Sequence, residues 1–454
     1  MKDKILVIDD EIDFLESVRR GLITSGFKQV QTESSPQDAI EAVNNGCLFD
    51  VALIDITMPG VDGVQVLEAV KKSQPQTECI MITALDEART AVNCLKKGAY
   101  DYLVKPVSKE DLVSSIRRAL ERKRLLDILK LDKQKSIPEL KNPAAFEPIV
   151  AGNEQMVRIL KIAELHAMSD SPILITGETG TGKELLSQAI HTASERCNRP
   201  FIPINMDAIT DSLFDAEFFG HTKGAFTGAD RDRSGYLESA HKGTLFLDEI
   251  GNLAPSLQGK LLRVLQSGEF IKIGTNIPRN VNLRIIAATN KDLDRMMASG
   301  QFRKDLYYRL SGSWLQLPPL RDRKDDIPLL VEYFLREFCG ADCEGMDDAV
   351  VDMLVNYSYP GNIRELKSIV KSMVNLARGK RISTGCLPAH IQWEERASSS
   401  PQTNHATIPT LAELERAHIT RVYKQFDNNK AESARILDIG INTLRRKLKA
   451  YGIK

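Results

Sequence analysis

Gly177-Glu178-Thr179-Gly180-Thr181-Gly182-Lys183-Glu184 follows the apolar run Ile173-Leu174-Ile175 and precedes a helix-like segment, Leu185 to His191. This is the strand, loop and helix order of a phosphate-binding loop. Glycines at 177, 180 and 182 let the backbone turn tightly and aim its N–H groups at phosphate oxygens. The helix N-terminus behind them favours negative charge, and Lys183 adds a mobile cation. A nucleoside triphosphate is the natural ligand. Glu184 stands where Ser or Thr would ordinarily hold magnesium, so the metal must be placed by other groups. Downstream, Gly243-Thr-Leu-Phe-Leu-Asp248-Glu249 reads as a buried strand ending in two carboxylates. One is suited to orient hydrated Mg²⁺ and the other to polarise an attacking water. This second signature argues against a chance glycine-rich turn.

At 454 residues the chain is too long for one ordinary core, and its length suggests about three domains. An apolar fraction of 42% and a charged fraction of 27% are those of a soluble globular protein. Basic and acidic residues balance at 61 each, so any nucleic-acid surface must be local. From Leu411 to Lys454 there are ten basic and five acidic residues, a local excess of positive charge. The N-terminus has only four consecutive apolar residues before acid intervenes, which excludes a signal peptide. No apolar run is long enough to span a bilayer. The expected location is cytoplasmic, with no membrane partner. Seven scattered cysteines then read as reduced packing thiols; Cys339 and Cys343 alone lie close together, without His neighbours.

From Ile5 to about Leu120, short apolar runs alternate with amphipathic stretches. Ile5 to Ile8, Val51 to Ile54, Cys79 to Ile82 and Tyr102 to Val104 read as buried parallel strands of a doubly wound α/β domain. Polar residues sit at the carboxyl ends of those strands, where such folds build their sites: Asp9 and Asp10, Asp55, Thr83 and Lys105. Three carboxylates converging on one crevice repel unless a divalent cation lies among them. With Mg²⁺ bound, one carboxylate can attack a phosphoryl group, while Lys105 pairs with the new charge and Thr83 hydrogen-bonds it. The stretch resembles the CheY-like receiver domains of two-component response regulators, through Asp9-Asp10, Asp55-x-x-Met58-Pro59-Gly60, Thr83-Ala84 and Lys105-Pro106. That resemblance implies that Asp55 accepts phosphate from a sensor histidine kinase, that Asp10 and Asp55 hold Mg²⁺ with Asp9 beside them, and that Tyr102 swings inward with Thr83. Lys105-Pro106 is a candidate cis bond.

A helical pattern runs from Ser108 past this domain to Lys130, with apolar positions on one face of a charged segment. It suits pairing with a second copy or docking on the neighbouring domain equally. Beyond Pro138, Pro143 and Pro148, α/β alternation resumes from about Ile149. Arg284-Ile-Ile-Ala-Ala-Thr289-Asn290 is a strand ending in a polar pair that could sense the γ-phosphate. Phe302-Arg303-Lys-Asp-Leu-Tyr-Tyr-Arg309 offers two planar cations of the type that stabilises phosphoryl-transfer charge from a neighbouring subunit. Tyr359-Pro-Gly-Asn-Ile-Arg364 opens a helix in a lid, with Arg364 able to reach the nucleotide.

Gly224-Ala225-Phe226-Thr227-Gly228-Ala229 describes a flexible, exposed loop tip with an apolar contact. This hexapeptide is the hallmark of bacterial enhancer-binding proteins of the NtrC type, AAA+ ATPases that remodel RNA polymerase carrying sigma-54. The resemblance covers Val150 to Gln392 and includes Glu184. It implies that Lys183 and the loop backbone bind ATP phosphates, that Asp248 places Mg²⁺ through water and that Glu249 activates the hydrolytic water. It further implies that Asn205 restrains Glu249, that Arg303 and Arg309 act in trans, that Arg364 is the lid sensor, and that the 224–229 loop contacts sigma-54 through Phe226 and Thr227. Met206-Asp207, Thr222, Ser311-Gly-Ser-Trp314 and Tyr359 depart from the usual pattern.

Ala397 to Thr407 is small and polar and reads as a flexible linker. Beyond it, Leu411 to Phe426 is amphipathic, and Asn429–Leu437 and Asn442–Ala450 are expected to be two short helices around Gly440. Ala434, Leu437, Ile441, Leu444 and Leu448 are expected to face inward, with Arg445, Arg446, Lys447 and Lys449 on a basic second helix. This is a helix-turn-helix and resembles the Fis-type domain of these regulators. Asn442, Thr443, Arg445 and Arg446 are the candidate DNA contacts. The expected division is receiver 1–120, helical linker 121–146, AAA+ P-loop α/β ATPase with helical lid 147–392, flexible linker 393–409 and all-α DNA-binding domain 410–454. The resemblance implies a resting dimer and an active hexamer or heptamer that works on sigma-54 polymerase from upstream DNA.

Overall fold

A computed structural model describes residues 3–83, 93–131, 137–226, 229–339, 345–389, 391, 411–426 and 428–453. The chain divides into two compact units, Met1–Pro388 and Ala389–Lys454. In the first unit, strands β1 (Lys4–Ile8), β2 (Gln29–Glu33), β3 (Val51–Asp55), β4 (Glu78–Thr83) and β5 (Asp101–Val104) form a parallel sheet in the order β2-β1-β3-β4-β5. The middle strands are apolar almost throughout because helices cover both faces. Leu6, Ile8, Ala52 and Ile54 pack into one core layer, and Ile5, Val7, Val51 and Leu53 into the other. Period-two alternation sends neighbouring residues to opposite faces. Asp9 follows β1, Asp55 and Thr83 end β3 and β4, and Lys105 follows β5, so these four lie at the carboxyl edge of the sheet.

The helix Lys109–Leu131 runs from this domain into the next without a break. Its Arg124 Nη2 donates to Met168 O at 3.1 Å, and its Glu121 accepts from Ser169 Oγ at 3.2 Å. Both contacts lie at the C-terminal end of the helix Glu154–Ala167, where unpaired carbonyls favour cations. The buried Arg284 reaches the same end, donating to the carbonyls of His166 and Ala167 at 2.8 Å each. One side of the linker helix thus docks on the neighbouring domain, while Leu125 and Leu129 remain exposed.

The second sheet of this unit is also parallel, in the order β14-β6-β13-β10-β7, with β6 Ile173–Thr176, β7 Phe201–Asn205, β10 Thr244–Asp248, β13 Arg284–Thr289 and β14 Ser313–Gln316. Two short hairpins project from it: β8 Gly220–His221 with β9 Arg233–Ser234, and β11 Glu269–Ile271 with β12 Pro278–Asn280. The lid follows as helices Asp326–Cys339, Asp348–Asn356 and Asn362–Ala377. Cys47, Cys79, Cys94, Cys197 and Cys386 are free thiols. Cys339 is disulfide-bonded, which corrects the expectation of reduced thiols throughout. It ends the lid helix Asp326–Cys339.

The second unit holds helices Leu411–Gln425, Lys430–Ile436 and Ile441–Ala450 around Ile419, Tyr423, Ala434, Leu444 and Leu448. Ile441 was expected inside but is exposed. It is the first residue of its helix, and Ile439 in the preceding turn packs against the core instead. No helix among the described residues is long and apolar enough to cross a membrane.

Candidate active site and partner surfaces

At the carboxyl edge of the first sheet, oxygens of Asp9, Asp10 and Asp55 lie within 4.8 Å of one another. Lys105 Nζ donates to Asp9 Oδ2 at 2.9 Å and to Asp55 Oδ2 at 3.2 Å. Burial, reinforced by Asp9, pushes the Asp55 carboxyl up to about 6 against the pull of Lys105. The same carboxylates raise the Lys105 ammonium despite its partial burial. Lys105–Pro106 is cis. Thr83 is buried at the end of β4, whereas Tyr102 faces outward at 41% exposure, beside a groove lined by Val104, Pro106 and Arg118. Ala84 lies outside the described residues. The oxygen-only donor set suits a hard divalent cation.

The second sheet carries a larger cleft of 590 Å³, within the range of small-molecule sites. Its lining includes residues 179–184 of the glycine-rich loop, Asn205, Asp248, Glu249, Asn290 and Arg364, with Ile149, Val150 and Met156 on the apolar side. The loop joins β6 to the helix Lys183–Ala193, so a helix N-terminus opens on the cleft. Lys183 Nζ donates to Gly177 O at 2.9 Å and lies 3.7 Å from Glu249 Oε1. Burial lowers the Lys183 ammonium and raises the Asp248 carboxyl. Glu249 adopts φ 51°, a costly conformation for a non-glycine residue, and its Oε2 accepts from Asn290 N at 3.1 Å. Asn290 Nδ2 donates to Thr179 Oγ1 at 2.8 Å, tying the polar end of β13 to the loop. Apolar walls, a cationic loop and two carboxylates match what a nucleoside triphosphate and its cation require.

Asn205 sits in register with Asp248 on the adjacent strand. Its Oδ1 accepts from Asp207 N at 2.8 Å, and no hydrogen bond among the described residues joins it to Glu249. Arg303 and Arg309 do not line their own chain's cleft. Arg303 makes a two-pronged pair with Asp305, and Arg309 Nε donates to Leu265 O at 3.0 Å. The sequence reading passed over Arg321, Arg323 and Asn362, which bond the lid to Glu178, Thr179 and Thr181 of the loop. The closely spaced Arg321, Arg323 and Asp326, too polar for a plain lid entry, was the available signal.

The 224–229 loop closes the hairpin β8–β9. Gly224 N donates to Ala229 O at 2.9 Å, and Phe226 stands 46% exposed against His221, with ring centroids 4.9 Å apart. Thr227 and Gly228 lie outside the described residues. In the second unit, Asn429 caps its helix by accepting from Ala431 N and Glu432 N. Asn442, Arg445, Arg446 and Lys449 are exposed at helical spacing, Thr443 is half-buried, and Lys447 is bonded to Glu415 at 2.5 Å.

Comparison with known proteins agrees with this geometry. Residues 5–117 match the response regulator receiver domain, 149–316 the sigma-54 interaction domain, 321–404 the AAA+ ATPase lid domain and 410–451 the Fis-family bacterial regulatory protein. The transcriptional regulatory protein ZraR of Klebsiella oxytoca is 38% identical over 447 residues, covering 98% of each chain. The DNA-binding transcriptional regulator NtrC of Proteus hauseri is 34% identical, covering 100% of this chain and 99% of its own. The chain belongs to the NtrC-type sigma-54-dependent response regulators. A crystal structure of NtrX from Brucella abortus in complex with ATP is similar over the full length of both chains, at 31% identity and a TM-score of 0.51. As an NtrC-type regulator the chain is an ATPase that activates sigma-54-dependent transcription under receiver control. Asp9, Asp10 and Asp55 fall in the matched receiver range, and Asp248 and Glu249 in the matched sigma-54 interaction range.

Proposed function

We propose that Asp55 takes a phosphoryl group from a sensor histidine kinase, and that this converts a resting dimer into a hexameric or heptameric ring. The ring remodels sigma-54 polymerase from an upstream DNA site. The observation that carries the reading is Asp55, buried, 3.2 Å from Lys105, with Asp9 and Asp10 converging on the same point. Asp9, Asp10 and Asp55 would hold Mg²⁺, which when bound offsets charge between the carboxylates and the incoming phosphoryl oxygens. The Asp55 carboxylate attacks phosphorus as the P–N bond to the kinase's histidine breaks and the imidazole leaves; Lys105 pairs with the phosphate, Thr83 donates to it, and Tyr102 turns inward.

In the ATPase, the 177–184 loop and Lys183 hold the phosphates of ATP, and Asp248 would hold Mg²⁺, which when bound offsets charge on those phosphates. Glu249 takes a proton from the attacking water as ADP leaves, and Asn205 restrains it until sigma-54 is engaged. Arg303 and Arg309 stabilise the transferring charge in the neighbouring subunit, and Arg364 reports the γ-phosphate. Their absence from their own cleft supports a role across a subunit boundary. Loop 224–229 grips sigma-54, and Asn442, Thr443, Arg445 and Arg446 contact DNA in the cytoplasm. We place the domain limits at 120, 146, 392 and 409.

The test compares the parent chain with Asp55→Ala, measuring Mg²⁺-dependent labelling by a small phosphodonor and ATPase rate together. Labelling and stimulation should both vanish in the variant. Undiminished labelling would remove Asp55 as acceptor.

A further inference from the structure

The phosphate loop carries a carboxylate, Glu178, which would repel a triphosphate if it faced the cleft. It faces the lid instead. Arg321 Nη1 and Nη2 donate to its two oxygens at 2.9 and 2.6 Å, a bidentate pair, and Asn362 Nδ2 donates to Oε2 at 3.1 Å. These bonds hold the Glu178 carboxyl down at about 2. Asn362 also donates to Thr179 O at 3.1 Å, and its Oδ1 accepts from Leu320 N at 2.7 Å. Its side chain is fully buried, and its φ of 52° is left-handed, which asparagine tolerates better than most residues. Next to it, Ile363 N donates to Gly180 O at 3.0 Å. Lid and loop approach so closely there that a Cβ on Gly180 would meet Gly361 O at 2.3 Å.

We propose that Asn362 is a positioning residue which, through Glu178 and Arg321, turns the loop's carboxylate away from bound triphosphate and fixes where the lid helix starts. Arg364, two positions on, thereby faces the cleft. Neither Asn362 nor Arg321 belongs to the assigned nucleotide machinery, and the inference rests on the reading of this cleft as the ATP site.

The test measures binding of a fluorescent ATP analogue to the full-length chain, and the kcat and KM of its phosphorylated form. Asn362→Asp keeps the size, the left-handed tolerance and the acceptor for Leu320 N. It replaces a donor with a charge facing Glu178 and Thr179 O. Affinity should fall about tenfold, the scale of a lost hydrogen bond to a charged group, with KM rising more than kcat falls. Adding Glu178→Gln, which removes the opposing charge, should restore most of that loss, a rescue that a merely structural role would not give. Unchanged affinity in Asn362→Asp, or a double variant worse than the single one, overturns the proposal. Should Asn362→Asp fail to fold, Arg321→Ala decides, because that side chain is 44% exposed and fills no core. A raised KM is expected there, and an unchanged KM is contrary. Binding that survives Lys183→Ala would remove the ATP-site reading and this inference with it. Binding lost in Lys183→Ala yet untouched in Asn362→Asp removes the inference alone.

Discussion

Asp55 is costly to the fold that holds it. Its folded carboxyl, at about 6, lies above the ordinary value of 3.8. The stability contributed by its protonated form is therefore fully present below 3.8 and is lost as pH rises through 6. At pH 7 the ionised group is a burden of about 1–3 kcal/mol in the absence of metal. Asp55→Asn, nearly the same shape, should raise the urea midpoint of the metal-free chain at pH 7, and the gap should close near pH 4. A gap independent of pH would contradict the burial account. Asp9, Asp55, Thr83, Lys105, Lys183 and Asp248 were all legible in the sequence, because each ends or follows an apolar run and parallel strands bring such ends together. Asn362 was not legible, and Arg321 showed only as one of a close polar run at the lid entry. Their partners lie 184 and 143 positions away, and only the docking of lid on loop gives those polar side chains a purpose.

At the scale of elements, the helix Lys109–Leu131 suits docking on the neighbouring domain or pairing with a second copy, and its contacts show the docking. Arg124 and Glu121 meet the ATPase, while Leu125 and Leu129 stay exposed. Amphipathicity alone could not say which face goes where. Arg303 caps the short helix Lys304–Leu310 and Arg309 lies within it, and neither lines its own chain's cleft. Arg303→Ala should therefore lose most ATPase activity while still binding nucleotide. Mixing it with Lys183→Ala should recover part of the rate, because each subunit supplies what the other lacks. Co-assembled mixed rings with no activity would argue for action in cis. In the small C-terminal unit, Asn429→Ala removes a cap worth about 0.5–2 kcal/mol and should lower DNA affinity together with helix content. Unchanged melting would show that packing around Leu444 and Leu448 holds the helix without it. The helix-turn-helix was legible from its glycine turn and basic face, but not the inward turn of Ile439 in place of Ile441, since a helix's first residue escapes its own periodicity.

Across the whole molecule, phosphorylation, ATP turnover and polymerase remodelling are assigned to different sites, so they should separate under mutation. The loop that would grip sigma-54 closes a hairpin far along the chain from Lys183, and Phe226 at 46% exposure is free to meet a partner. In sequence, Thr227 stands apart from both the phosphate loop at 177–184 and the carboxylate strand ending at Asp248. The most direct measurement is ATPase rate and sigma-54-dependent open-complex formation on one preparation of Thr227→Ala. The account predicts near-parental ATP hydrolysis with open-complex formation lost. A joint fall would place the loop in the catalytic or assembly machinery, and transcription left intact would contradict the assignment of this loop to sigma-54.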